Sequence, residues 1–433
     1  EITAQPLLNY LLALVRDERT MKGQPAAIDS VHALYGAVFE LLYKRKQGQL
    51  AHRGAVEDRF ALSDYKRFLE EVAIAAWHSG SDRAVSSGAI QDRIATCDQR
   101  LQNQLRHDYE SLEHGLFAVL STFFVAPEAG TVGHYTFTHK SFREYLTAAR
   151  IVREVEEIDD QRRNARRYSE DQALSDWFAL TCSAAIDSDL RTFLVEEVAA
   201  RAAAGSRVAD WRETLKSLFE ANLRDGMPGY KDAQTFREAE RRAANGEAAL
   251  FVTLMTCAQV SLAEGETLKL DWQGERGARE LLQRMRASPA HDAMLKSFNR
   301  ISLTNQYLSY LNFQGADLTN ADLSSSEIVG SYLVTANLGR ATLRSTNLSG
   351  AWLVLADLSG AEISDSQLGG ANLISANLRG ANLSGADLSS AKLCGANLSA
   401  VNGRNARLSE DTDLRGAINV PEGWRNHPSL RED

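Results

Sequence analysis

Gly380-Ala-Asn-Leu-Ser-Gly-Ala-Asp-Leu-Ser-Ser-Ala-Lys-Leu393 places a leucine at every fifth position and an alanine two residues before each of them. The period runs unbroken from Phe298, Leu303, Leu308 and Phe313 to Leu393 and Leu398. From Ala316 to Ala396, the residue two before each large one is always Ala, Ser or Thr. A helix repeats every ~3.6 residues and a flat strand every two, so neither produces a period of five. A chain that turns a corner every five residues does. One large and one small side chain per corner then point inward, and stacked coils bury them as columns with backbones paired at roughly 4.8 Å. No proline lies between Pro289 and Pro421, and small residues fill the turns. The register breaks at Gly403, returns at Leu408 and slips at Leu414. The tail Pro421-Glu-Gly-Trp-Arg425 is expected to fold over the last coil with Trp424 as a plug, because an open solenoid end exposes core and strand edges.

The Ala-Asp/Asn-Leu pattern, as in Gly380 to Leu383, resembles the pentapeptide-repeat family. That resemblance implies a right-handed quadrilateral β-helix with four pentapeptides per coil, so residues twenty apart share a face. Three faces are then polar. One carries Asp317, Asn337, Asp357, Asn377 and Asn397; another Asp322, Thr342, Glu362 and Asn382; a third Glu327, Asn347, Gln367 and Asp387. The fourth stacks Tyr332 over Trp352, with Val334, Val354, Ile374 and Cys394 beside them. An exposed apolar column of this kind marks an interaction surface. It points to a protein partner or self-association, or to cover from another part of the same chain. Some members of the family mimic DNA and act on gyrase, which needs a dense acidic surface. Between Phe298 and Leu398 seven acids face five bases, so the balance disfavours a mimic.

The 433 residues allow two to four domains, and 44% hydrophobic with 24% charged residues is ordinary for a globular protein. A net charge of −9 disfavours nucleic acid and anionic membrane as partners. The most apolar short stretch, Leu116 to Ala126, is too short to span a bilayer. Cys97, Cys182, Cys257 and Cys394 lie far apart without a CxxC pair, which suggests neither zinc nor a disulfide framework and fits a reducing, cytoplasmic setting. His107 and His114 lack a carboxylate at ligand spacing, so no metal site is expected. No GxSxG elbow occurs, and no catalytic residue is assigned. The run Arg162-Arg-Asn-Ala-Arg-Arg167 is bracketed by Asp159, Asp160, Glu170 and Asp171 and reads as a solvated loop.

Ahead of the repeat, the sequence reads mostly as helices. Leu7, Leu8, Leu11, Leu12 and Val15 form one stripe, and Val31, Leu34, Val38, Leu41 and Leu42 another. Others run over Phe68 to Trp77, Leu112 to Leu120, Trp177 to Ile186, Trp211 to Phe219 and Ala248 to Val260. Leu120 to Val125, Pro127 to Gly130 and His134 to Thr138 read as strand, turn, strand. A helix follows, for which Ser141 and Glu144 form a capping box. Helices, a hairpin and a further helix suggest a winged-helix module.

Tyr135-Thr-Phe-Thr-His-Lys-Ser-Phe-Arg-Glu-Tyr-Leu-Thr-Ala148 resembles the end of the winged-helix domain in NACHT-type signalling NTPases of the STAND class. Ile2-Thr-Ala-Gln-Pro-Leu-Leu8 is similar to the segment after their nucleotide-binding core, and Trp177 to Val260 to the helical domain that follows. The resemblance implies that His139 reaches the phosphates of a bound nucleotide in the resting state. A histidine at a helix start, beside backbone N–H donors, suits an anion. No GxxxxGK[ST] occurs, and there is no Gly-Lys pair at all, so the phosphate cradle is missing from this chain. The chain opens at Glu1 with a helical pattern already running, and any NTPase core is expected upstream of it.

The expected organisation is therefore an all-α region with an embedded winged helix, followed by a β-solenoid. It comprises a helical segment at 1–55, a winged-helix-like domain at 56–157, a helical domain at 158–295, the β-helix at 296–410 and a cap at 411–433. The expected role is non-enzymatic. It is the regulatory and sensing portion of a NACHT-like NTPase in a signalling or bacterial-defence setting. No cofactor is expected in this chain, and ATP or ADP is implied for the full-length protein. The alternative is a stand-alone interaction scaffold. The candidate sites are His139 and the column Tyr332, Val334, Trp352, Val354 and Ile374.

Overall fold

A computed structural model describes residues 12–13, 15–16, 31–52, 61–80, 84–97, 102–103, 125–127, 133–137, 139–164, 167–228 and 235–430. In chain order the elements are α1 (Val31–His52), α2 (Leu62–His78), β1 (Ala84–Ser86), α3 (Ser87–Cys97), β2 (Val125–Pro127), β3 (His134–Phe137), α4 (Lys140–Asn164), α5 (Glu170–Thr181), α6 (Ser188–Ala203), α7 (Val208–Asp225), α8 (Phe236–Ser261), β4 (Leu268–Lys269), α9 (Gly277–Met285), α10 (His291–Leu295) and β5 (Ile301–Ser302). They fall into two compact units, Glu1–Glu157 with Asp189–Ala204, and Ile158–Ser188 with Gly205–Asp433. Among the described residues, no helix is long and apolar enough to cross a membrane.

In the first unit, α1 presents the stripe Leu34, Val38 and Leu41, and all three are buried. Tyr35 on the same helix is edge-on to Phe142 (4.7 Å between centroids), stacks on Tyr145 (5.6 Å) and meets Phe193 of α6 (5.7 Å). Aromatic pairs at these distances add to burial and fix the crossing of α1, α4 and α6. Of the first predicted stripe, Val15 is buried, while Leu7, Leu8 and Leu11 lie outside the described residues, as do Ile2 to Leu8 and Leu112 to Leu120. The expected hairpin forms, although Leu120 to Phe124 of its first expected strand lie outside the described residues. Val125–Pro127 pairs antiparallel with His134–Phe137, so Pro127 ends a strand rather than opening the turn. A third strand, Ala84–Ser86, pairs with the other edge of β3 to give the order β1-β3-β2.

The capping box at Ser141 and Glu144 is corrected. Helix α4 starts at Lys140, and the capping acceptor is His139 Nδ1, which takes the Ser141 N–H at 3.2 Å. Glu144 Oε1 pairs with Lys140 Nζ at 3.0 Å. An imidazole nitrogen accepts a backbone N–H as a serine oxygen would, and this moves the helix start forward.

In the second unit, α8 buries every residue from Asn245 to Ala258. Phe251 on it touches Phe219 of α7 (5.5 Å) and Phe298 (5.1 Å), which in turn meets Phe313 at 6.4 Å. An aromatic path thus joins the helical core to the first inward column of the solenoid. The helical segment also closes the solenoid's leading edge. Leu268–Lys269 pairs parallel with Ile301–Ser302, Trp272 Nε1 donates to the Ser302 carbonyl (3.0 Å), and the Tyr307 and Asp317 N–H groups donate to the Glu275 and Leu295 carbonyls.

From there each rung pairs in parallel with the residue twenty further on, as Asp322 with Thr342, Tyr332 with Trp352 and Asn382 with Asn402. One coil is therefore four pentapeptides. The large inward residues from Leu303 to Leu398 are buried throughout, and so are the alanines two before them. Where a hydroxyl replaces alanine it is satisfied: Ser331 Oγ donates to the Leu308 carbonyl and Thr346 Oγ1 to the Leu323 carbonyl, both at 2.8 Å. The fifth residue of most repeats turns the corner with a positive φ, as glycine at 315, 330, 350 and 360, but also as Tyr310, Thr335, Arg340 and Leu355. After Arg407 the pairing interval becomes twenty-one, Lys392 with Asp413 and Asn397 with Ile418. One extra residue is accommodated there, and Thr412 takes the inward place with its hydroxyl on the Leu388 carbonyl. Beyond the last rung Trp424 is buried over Gly403, where a Cβ would sit 2.5 Å from the indole. His427 Nε2 holds the tail to the Ser409 carbonyl at 2.7 Å.

Candidate interaction surface

The twenty-residue coil brings Tyr332, Val334, Trp352, Val354 and Ile374 onto one face of the solenoid. Tyr332 and Trp352 are on adjacent coils, paired through their backbones, with ring centroids 5.7 Å apart and planes at 27°. They remain 50% and 47% exposed, although each covers part of the other. Val334, Val354 and Ile374 are half-buried beside them. Asn312 precedes Tyr332 on this column and Asn372 follows Trp352, so the aromatic pair is bounded by polar rungs along the axis.

Two members of the surface escaped the sequence reading. Tyr310 is 68% exposed and lies across Gly330, where a Cβ would meet its ring at 2.7 Å. Leu355 is 59% exposed at the corner following Val354. Both occupy the fifth position of a repeat, and the sequence signal was a bulky apolar residue where the neighbouring repeats carry small ones. The strip thus wraps a corner at each side of the Tyr332–Trp352 face.

Its borders are polar and acidic. Glu327 stands one pentapeptide before Tyr332 and accepts from Asn347 Nδ2 at 2.9 Å. Asp357 stands one pentapeptide after Trp352 and accepts from Asn377 Nδ2 at 2.9 Å and from the Ser359 N–H at 3.0 Å. At the far end of the column Cys394 Sγ donates to Asp413 at 2.9 Å, and Arg415 also pairs with that carboxylate, at 2.7 Å. Burial and the hydrogen bond to Asp413 push the Cys394 thiol up, and Arg415 holds Asp413 well below the usual carboxylate range. The thiol is therefore a poor nucleophile, and the strip offers shape and apolar surface rather than reactivity.

His139 belongs to the other unit. Its Nδ1 accepts from the Ser141 backbone and lies 2.9 Å from Ser141 Oγ. A nitrogen that accepts a backbone N–H carries no proton, which places the ring proton on Nε2.

Residues 297–325, 328–360, 361–399 and 381–418 match the model of pentapeptide repeats, in eight copies. A pentapeptide repeat protein from Nostoc PCC 7120 is 42% identical over 25% of this chain and 83% of its own, with a TM-score of 0.19. The chain belongs to the pentapeptide-repeat family. A second pentapeptide-repeat structure, from the cyanobacterium Cyanothece 51142, is 32% identical over 24% of this chain and 82% of its own (TM-score 0.16). A third, from the thylakoid lumen of Arabidopsis thaliana, is 26% identical over 22% of this chain (TM-score 0.19), and the match spans 61% of that protein's length. No curated protein matches the chain. The pentapeptide-repeat assignment covers the solenoid and does not extend to the helical units before it.

Proposed function

We propose that this pentapeptide-repeat protein is a binding scaffold without chemistry of its own, and that its docking surface is the strip around Tyr332 and Trp352. The observation that carries this is the pair itself. Two large aromatic side chains are left half in water on a fold whose other faces carry Asn, Asp, Ser and Thr. An apolar patch rimmed by polar residues is the usual mark of a partner site. Trp352→Glu is expected to leave the fold and its melting temperature nearly unchanged, since the side chain points outward. It is expected to weaken partner capture or self-association at least tenfold. Circular dichroism checks the first and light scattering with affinity capture the second. An unchanged elution volume together with unchanged capture overturns the assignment.

The helical units supply a second element of the reading. On the Tyr135–Ala148 motif, the chain serves as the regulatory half of a NACHT-like NTPase, with the sheet β1-β3-β2 and its flanking helices as a winged-helix module. In this scheme the solenoid senses a partner, and the helical units pass the signal to nucleotide exchange and assembly. What supports it is the motif and the position of His139 directly ahead of α4, with the proton on Nε2. A Walker A motif in the reading frame upstream of Glu1 would support the scheme, and a start codon at that boundary would remove it. With such a core present, His139→Ala is expected to reduce ADP retained through purification several-fold and to raise basal activity. Unchanged nucleotide content removes His139 from the site.

A further inference from the structure

We propose that the strip takes a short peptide segment with apolar side chains between basic ones, rather than a second copy of this chain or a nucleic acid. This rests on the reading of the strip as a docking surface and names the occupant.

The first argument is backbone conformation. Tyr310, Thr335 and Leu355 hold φ values of 61°, 56° and 58° at corners where glycine stands in other coils. A Cβ in that region crowds the following carbonyl oxygen, and a β-branched residue such as Thr335 fits it worst. Leu355 and Tyr310 recover little through burial, since both are mostly exposed. Folding alone would be served better by glycine at these corners. Polar residues hold the same φ at many other corners, but among the described residues only Tyr310 and Leu355 do so with a large apolar side chain left in water, and both lie on the strip.

Ring packing limits the room for a stacking ligand. Tyr332 and Trp352 stack on one another along the solenoid axis, so one face of each ring is already taken by the other. A nucleobase or a sugar ring needs an open aromatic face. Ring edges and valine methyls suit aliphatic and aromatic side chains.

Charge decides between a foreign segment and a second copy. Glu327 borders the strip on the Tyr332 side and Asp357 on the Trp352 side, and their side-chain partners are asparagine amides. The cations nearest the strip are committed elsewhere: Arg279 to the Ser309 carbonyl and the Tyr307 ring, which Arg276 also overlies, and Lys296 to the Gly315 carbonyl, while Lys392 lies two coils past Trp352 and Arg340 at the far corner of the Asp357 face. A two-fold axis running along or across the solenoid would bring these carboxylates toward those of a second copy. A segment with Lys or Arg on each side of an apolar centre would meet both.

The test uses the whole chain and two fluorescein-labelled peptides with the same Leu-Phe-Leu centre, one flanked by lysines and one by glutamates. The lysine peptide is expected to bind saturably and to weaken with added salt, and the glutamate peptide is expected not to bind. Glu327→Gln with Asp357→Asn should weaken the lysine peptide roughly fivefold, in keeping with exposed ion pairs. Leu355→Gly should weaken it while holding or raising the melting temperature, which a structural role for Leu355 would not allow. Equal binding of the two peptides, or binding of neither, overturns the proposal. So does a concentration-dependent dimer that Trp352→Glu abolishes, because the occupant is then a second copy. In that last case the docking surface stands and only its occupant is reassigned. If Trp352→Glu alters neither peptide binding nor self-association, the docking surface falls with it.

Discussion

Leu353→Asp is expected to break the β-helix, while Ile374→Asp, on the next coil but facing outward, leaves it folded. Leu353 is fully buried in the inward column, packed between Leu333 and Leu373 of the adjoining coils. Truncating such a leucine to alanine costs about 2–5 kcal/mol through lost transfer energy and a cavity. A carboxylate adds the cost of a buried charge, whereas the polar inward side chains of the central coils are hydroxyls satisfied by backbone carbonyls. The sum exceeds about 5 kcal/mol, against a typical domain stability of ~5–15 kcal/mol. In a solenoid each coil is held chiefly by its neighbours, so a central break exposes two new ends, neither capped as the native ends are by Trp272 and Trp424. Far-UV circular dichroism during urea unfolding, with limited proteolysis, reads the result. A Leu353→Asp midpoint within error of Ile374→Asp would mean the column does not carry the stability assigned to it.

The contrast between those two positions was legible in the sequence because the repeat is local. Every five residues state which side chain points inward, and the twenty-residue coil implied by the family resemblance then assigns faces, so Tyr332 and Trp352 fall together. The slip near Leu414 was legible for the same reason, and the structure resolves it as one extra residue with Thr412 in the inward place. The corners were not legible. A positive φ at Tyr310 or Leu355 follows from closing the coil, and local preference argues against both residues there. Helix α4 shows the same limit. Ser141 and Glu144 have the spacing of a capping box, but His139 reached the N–H first, and Glu144 found Lys140. Strand β1 is three residues, too short for an alternation pattern, and exists because β3 offers it a free edge. The resemblance to signalling NTPases rests on residues ahead of the repeat, from Ile2 to Val260, and the five-residue period carries no information about them.

Least legible of all was a cluster of charge inside the first unit, and Glu71→Gln is expected to be among the most damaging single changes there. Glu71 on α2 is buried and receives Arg150 Nε at 2.6 Å, Arg93 Nε at 2.9 Å and Arg153 Nη2 at 3.1 Å, from α4 and α3. Glu70 takes Arg153 Nε at 2.8 Å, and Arg150 also pairs with Glu154 at 2.7 Å. Partners some eighty residues apart leave no local pattern in the sequence. Removing one member of a buried ion pair leaves the other uncompensated, which costs about 3–5 kcal/mol. Acid titration offers an independent check. Burial alone would raise the Glu71 carboxyl, but Arg150, Arg93 and Arg153 overcome it and hold the group at about 2, against an ordinary 4.5. The folded state is then the weaker proton binder at this site. Its contribution, on the order of 3 kcal/mol, is complete above the ordinary value and is lost as the pH falls through about 2. Glu70 works in the opposite sense. Burial raises it in spite of Arg153, so its ionised form costs stability and mild acid relieves that cost. The loss tied to Glu71 should therefore begin as the pH falls below about 4.5 and run down to about 2, and Glu71→Gln should abolish that late limb while lowering stability at neutral pH. Hydrogen–deuterium exchange of peptides from α2 follows both. Equal protection in the two proteins at pH 7, or a late acid limb that survives the substitution, would show that the arginines are held by something other than Glu71.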